Sequence, residues 1–140
     1  MTRVGRVPAR RERLGGNAIV EFAFVLPVFL LIVYGAITYT IALHNKLILT
    51  QASREGARAG TVYRATRLTQ AQIQTIVSNY CADNLITFAA MATSCQPTAT
   101  LPAAPIDPGD PLTVRVTYLY RGLYVFGNTT ISAETTMLYE

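Results

Sequence analysis

From Ala18 to Leu43 the chain is apolar apart from one charged residue, Glu21. A run of about 26 residues, at roughly 1.5 Å per residue, is long enough as a helix to cross a hydrocarbon layer of about 30 Å. In that solvent a single unpaired segment must satisfy its backbone internally, so helix is the only regular structure open to it. A carboxylate inside such a segment is costly, which makes Glu21 a functional-site candidate. The residues just before the run, Gly15-Gly16-Asn17, add a second signal. Their spacing points to an export precursor cut between Gly16 and Asn17, with Glu21 as the fifth residue of the mature chain.

Charge is distributed to match. The net charge of +4 belongs to the first sixteen residues, where Arg3, Arg6, Arg10, Arg11 and Arg13 face only Glu12. From Asn17 onward acids and bases balance, and no basic stripe of the kind that gathers phosphates is present in the sequence, which argues against nucleic-acid binding. The leader arginines on one side of the run, against His44 and Lys46 on the other, keep the N-terminus in the cytoplasm and send the rest out. A secretory signal peptide would have a shorter apolar region ending at a small-x-small cleavage site. Here the run is longer and Ala36-Ile37-Thr38 lies inside it, so an anchored protein is expected.

Three regions follow: a leader at 1–16, a long helix at 17–64 with its span at about 18–43, and an exported domain at 65–140. Pro27, about three turns into the helix, removes one backbone hydrogen bond and marks a kink. A second helix is expected over Thr69–Leu85, with Ile73, Ile76, Val77 and Tyr80 at spacings of three and four. Residues 92–111 are rich in Thr, Pro and Ala and read as loop with one short strand around Thr98–Leu101. Leu112, Val114, Val116 and Tyr118 alternate with Thr113, Arg115 and Thr117, the period of a half-buried strand. A weaker alternation runs over Thr129–Tyr139, and Gly122 and Gly127-Asn128 between the two supply the turn. The fold class is α+β: a transmembrane helix, then one helix against an antiparallel ribbon or three-stranded sheet.

Ala52, Gly56 and Gly60 recur every four residues and form a small-residue stripe that lets another backbone approach closely. Arg54 and Arg58 lie one turn apart on a different face, and Glu55 is within i,i+3 reach of Arg58. The stripe packs either on the chain's own domain or on a neighbouring subunit. Cys81 and Cys95, the only cysteines, can pair in an oxidising compartment. A disulfide is favoured over two free thiols because a core this small gains from a closed loop. Two cysteines and one distant histidine are too few for a structural zinc site.

Catalysis has no support in the sequence, which assembles no nucleophile–base set and calls for no cofactor or metal. Asp107 and Asp110 read as turn formers, as does Asn128-Thr129-Thr130 despite its match to a glycosylation acceptor. Glu21 has two readings. Cleavage at Gly16 would create a positive amine at Asn17, on the same helix face four residues away, and an opposite charge stabilises a buried carboxylate. Alternatively Glu21 snorkels to the nearby interface.

The segments Gly16-Asn17-Ala18-Ile19-Val20-Glu21-Phe22-Ala23, Val25-Leu26-Pro27 and Ala52-Ser53-Arg54-Glu55-Gly56-Ala57-Arg58 together resemble the TadE-like family, pseudopilins of the tight-adherence (Flp) type IV pilus system. The resemblance is specific in the N-terminal half and loose towards the C-terminus. It implies a prepilin peptidase acting after Gly16, assembly roles for Glu21 and Phe22, and helix packing through Ala52–Gly60. It further implies a non-enzymatic minor pilin in the cytoplasmic membrane, with other pilin subunits, an inner-membrane assembly platform and the lipid bilayer as partners, and possible entry into an extracellular pilus. The alternative is a single-pass envelope protein whose exported domain binds a partner without entering a fibre.

Overall fold

A computed structural model describes residues 15–62, 67–87, 94–121 and 127–140, with side chains from Ala18 onward. The arginine leader up to residue 14, Arg64 and Gly122 lie outside the described residues. Two helices and three strands follow in the order α1 (Gly15–Thr61), α2 (Gln70–Asn84), β1 (Gln96–Thr100), β2 (Pro111–Arg121) and β3 (Asn128–Leu138). This is the expected α+β class with a long apolar N-terminal helix. The chain divides into two compact units, one ending at Gly35 and one spanning Ala36–Glu140.

Helix α1 starts two residues before the expected position and includes Pro27 without ending there. The proline removes one backbone donor but leaves the helix assigned on both sides of it. In the first unit, every residue from Ala18 to Tyr34 is exposed, as expected of a helix built for an apolar solvent. Ala36 and Ile37 are exposed as well, and burial begins at Thr38. The expected span of about 18–43 therefore overlaps the domain. Ile41 and Ala42 are apolar because they pack against the domain core.

Within the second unit, residues 38–61 of α1 lie on one face of an antiparallel sheet of order β1-β2-β3. The buried positions Thr38, Asn45, Leu49, Ala52, Gly56 and Gly60 are separated by seven, four, three, four and four residues, one stripe of a helix. On β2, Leu112, Val114, Val116, Tyr118 and Tyr120 all turn inward, the period-two pattern of a half-buried strand extended by one turn of the pleat beyond expectation. The opposite face is mostly polar: Thr113 pairs with Thr136, Arg115 with Glu134 and Thr117 with Ser132, with Leu119 opposite Thr130 as its apolar member.

Helix α2 is delimited by its own side chains. Thr69 and Gln72 form a capping box, with the Gln72 N–H donating to Thr69 Oγ1 at 3.4 Å and the Thr69 N–H donating to Gln72 Oε1 at 2.9 Å. Ile73, Val77 and Cys81 form its buried stripe, while Ile76 and Tyr80 are only half-buried. Cys81 is bonded to Cys95, which ties α2 to the entry of β1. The short strand β1 starts two residues and ends one residue before its expected place and pairs with β2 from Gln96↔Thr117 to Thr100↔Thr113. Asp107 and Asp110 build the turn before β2: the Asp107 N–H donates to Asp110 Oδ2 at 2.8 Å, and Gly109 between them takes φ +96°.

Candidate functional site

Two sets of residues carry the candidate site, one in each unit. In the first, Glu21 is exposed on α1, flanked by exposed Ile19, Phe22 and Val25. Among the described residues it has no hydrogen-bond or ion-pair partner. Gly16 and Asn17 lie within the first turn of α1, so Asn17 stands one helical turn before Glu21. A lone carboxylate on an otherwise apolar, outward-facing helix is an unmet demand for a cation, and the chain's own described part does not supply one.

In the second unit the small-residue stripe faces the chain's own elements. A Cβ on Gly56 would fall well inside van der Waals contact of Val77 Cγ2, and one on Gly60 would stand 2.5 Å from Leu112 Cδ2 and 2.8 Å from Ile73 Cδ1. Ala52 is fully buried in the same seam. The stripe is thus the seat of α2 and β2. Arg54, Glu55 and Arg58 turn the other way, exposed, and line a shallow groove with Gln51, Tyr80 and Met137.

Polar contacts that the sequence did not signal fix this arrangement. Asn45 is fully buried and its amide reads the Ile86 backbone in both directions: Nδ2 donates to Ile86 O at 2.9 Å and Oδ1 accepts from Ile86 N–H at 3.1 Å. Ser53 and Thr135 share a hydroxyl–hydroxyl bond of 2.7 Å, Lys46 Nζ donates to Ser132 O, and Tyr120 Oη donates to Thr38 O at 3.1 Å. The available signal was the polar residues at 38, 45 and 53, which fall on the helix stripe that is otherwise apolar.

Two tyrosines in the domain have displaced titration. Burial raises the Tyr120 phenol above its ordinary value, and the nearby Tyr118 adds to the shift. Burial also raises Tyr139, opposed by the Arg67 guanidinium 4.8 Å above its ring. Both groups hold their protons throughout the neutral range.

The class defined so far is a protein with one N-terminal helix of membrane-spanning length, carrying near its start an acid that is unpaired among the described residues, and a small disulfide-closed α+β domain seated on that helix's second half. The model of the TadE-like protein family matches residues 16–58. The match takes in Glu21, Pro27 and the Ala52–Arg58 stretch, and that family is a pilus-associated, structural one. No curated protein and no solved structure matches the chain.

Proposed function

We propose that the chain is a minor pilin or pseudopilin of a tight-adherence (Flp) pilus, freed from its leader by a prepilin peptidase cutting between Gly16 and Asn17. The observation that carries this reading is Glu21, an exposed carboxylate one turn after Asn17 on an apolar helix, without a partner among the described residues. Before cleavage the Asn17 nitrogen is a neutral amide. Cleavage turns it into an ammonium group within reach of Glu21 of the same chain or of a neighbouring one. An acid in a low-dielectric setting is stabilised by such a pairing and penalised without it. Processing would therefore switch on assembly by creating the missing charge. On this reading the N-terminus starts in the cytoplasm, the second unit lies outside the cytoplasmic membrane, and the partners are the peptidase, other pilin subunits and the inner-membrane assembly platform.

The test is the intact mass and N-terminal sequence of the membrane-extracted protein, with and without a co-expressed prepilin peptidase. A peptidase-dependent start at Asn17 is expected. The Glu21→Gln variant should then insert and be cleaved normally but fail to enter sheared fibres. An unprocessed chain under both conditions, or Glu21→Gln incorporated at the parent level, would refute the proposal and leave a static single-pass envelope protein.

A further inference from the structure

The two edge strands of the sheet differ in what closes them. β1 is five residues long, contains Pro97 and is tied to α2 by the Cys81–Cys95 bond. Proline and short length both blunt an edge. β3 is eleven residues long, has no proline or lysine, and pairs with β2 one-to-one from Asn128 to Leu138. Its end shows which backbone groups face outward. The Tyr139 N–H donates to Asp110 O at 2.9 Å, and its carbonyl accepts from the Gly109 N–H at 2.8 Å. Pairing groups alternate along an antiparallel strand, so the odd-numbered residues of β3 bond to β2 and the even-numbered ones point away. Two further observations agree. Pro111, which has no N–H to give, stands opposite Leu138, and the Ser132 carbonyl is free of the ladder to accept from Lys46 Nζ. Asn128, Thr130, Ser132, Glu134, Thr136 and Leu138 therefore hold their N–H and C=O groups toward the open side. Among the described residues, the Ser132 carbonyl is the one of these groups with a partner.

Helix α1 walls this edge. Lys46 meets Ser132 and Ser53 meets Thr135. Between these contacts the helix rises roughly 10.5 Å and the strand roughly 10 Å, so the two run in the same direction and in step. Tyr39, Leu43 and Thr50 lie on the same flank, at spacings of four and three from Lys46 and from each other. Tyr39 is 66% exposed and Leu43 48%.

We infer that the open edge of β3 receives an extended strand of a different polypeptide, laid antiparallel beneath this flank of α1. An extended backbone is the ligand whose donors and acceptors match the two-residue repeat of the edge. Charge sets its side chains. Neither Lys46 nor Glu134 is in an ion pair among the described residues. The incoming strand offers an acid opposite Ala133, below Lys46, and a base opposite Glu134 on the other face. Apolar groups opposite Thr129 and Ile131 cover Tyr39 and Leu43. The chain's own strands do not carry this complement. β3 of a second copy, in full antiparallel register, sets Ser132 opposite Glu134 and Ala133 opposite itself, which leaves both Lys46 and both Glu134 side chains unpaired. β1 of a second copy has no charge and contains Pro97.

The test is amide exchange by NMR on the isotope-labelled full-length chain in detergent, disulfide intact, with the peptide Val-Thr-Val-Lys-Glu-Thr-Val-Thr-Leu-Thr at about 1 mM. Laid antiparallel, it puts its lysine opposite Glu134 and its glutamate opposite Ala133. In the chain alone, the amides of Thr130, Glu134 and Thr136 should exchange far faster than those of Ile131, Ala133 and Thr135. The peptide should slow the even set about tenfold or more and leave the odd set unchanged. The same peptide N-methylated at its lysine and at the threonine after its glutamate should do nothing, because it keeps its side chains and loses edge donors. Thr130→Pro deletes an outward N–H, so it should keep the parent Tm and lose most of the slowing. Slow exchange of the even set without peptide would show the edge closed by the chain itself, or by a second copy if the protection grows with protein concentration. Either result, no slowing by the peptide, or equal slowing by its N-methylated form would overturn the inference.

Discussion

Replacing Gly56 by alanine separates steric packing from helix propensity, because the two have opposite signs. In a helix interior, Gly→Ala is worth about 1 kcal/mol in favour of alanine. If the small-residue stripe merely tolerated glycine, Gly56→Ala would stabilise the protein by that amount. The geometry predicts the reverse. The added methyl would overlap Val77 Cγ2, while Val114 Cγ1 at 3.4 Å and Ile73 Cγ2 at 3.6 Å would be in ordinary contact with it and leave it no room to shift. Val77 is β-branched and sits in α2, where its side chain has essentially one rotamer and cannot swing aside. Overpacking of this kind costs about 1–3 kcal/mol. A fully buried site with stiff neighbours belongs at the upper end, so the net loss should be about 1–2 kcal/mol.

The assay is thermal unfolding of the full-length chain in detergent, followed by near-ultraviolet circular dichroism of tyrosine. The chain has eight tyrosines and no tryptophan, and Tyr118, Tyr120 and Tyr139 are buried in the domain. For a domain of this size the expected fall in Tm is on the order of 5–10 °C. Gly60→Ala should lose less, because its nearest neighbours are the terminal methyl carbons of Leu112 and Ile73, which one more rotatable bond separates from the backbone than Val77 Cγ2. Val77→Ala supplies the control: it opens a cavity on its own, but in its background Gly56→Ala should be close to neutral. The coupling between the two should therefore reach about 1 kcal/mol or more. A Tm for Gly56→Ala equal to or above that of the parent, or additive effects in the double variant, would refute the packing argument.

Three further outcomes are expected. Asn45→Leu leaves the Ile86 backbone groups without their side-chain partner and should lower stability by about 1–3 kcal/mol in the same melt. Opening the Cys81–Cys95 link, whose sequence separation is 14, by the double Cys→Ala change should cost about 3 kcal/mol, read as a lower Tm that no longer responds to reductant. The raised Tyr120 and Tyr139 values mean that the fold favours the neutral phenol. This contribution is fully present below the ordinary tyrosine value of 10.0 and is lost as pH rises from there through the folded values. Tyr120→Phe should lose about 1 kcal/mol at neutral pH with its bond to Thr38 and flatten part of the alkaline decline, measured by denaturant unfolding across pH 8–12.

Much of the domain was legible because its elements follow single periods. The alternation from Leu112 to Tyr118 named the central strand, and Ile73 and Val77 named the second helix. The end of the span was not legible for a physical reason. A residue that faces lipid and one that packs on protein are both apolar, so Ile41, Ala42 and Leu43 read like Ile37 in composition, although Ile41 and Ala42 belong to the domain core. The Ala52–Gly60 stripe was visible, but a stripe of small residues states only that something comes close. Its occupants, Val77, Ile73 and Leu112, emerge only from the folded topology. The partner of Asn45 was hidden because it is the Ile86 backbone, and a backbone contact leaves no trace in sequence.

The composition of α1 bears directly on the role proposed for Glu21. Apart from Glu21, the helix from Ala18 to Ile37 presents apolar side chains on every side, Phe24 at 74% and Ile19 at 71% exposure among them. Bringing that surface into water is opposed at about 25 cal/mol per Å² of apolar area. The helix can therefore reside only in lipid or against other helices. Apolar side chains do not choose between these two settings, because lipid and a packed helix bundle solvate them about equally well. Glu21 does choose: in lipid its charge is a penalty, and in a bundle that offers it an ammonium partner the same charge is a gain. A neutral isostere at position 21 should therefore leave residence in the membrane unchanged or improved while removing the preference for the bundle. That asymmetry between unimpaired insertion and lost assembly is what Glu21→Gln should display if pairing at Asn17 drives the transfer.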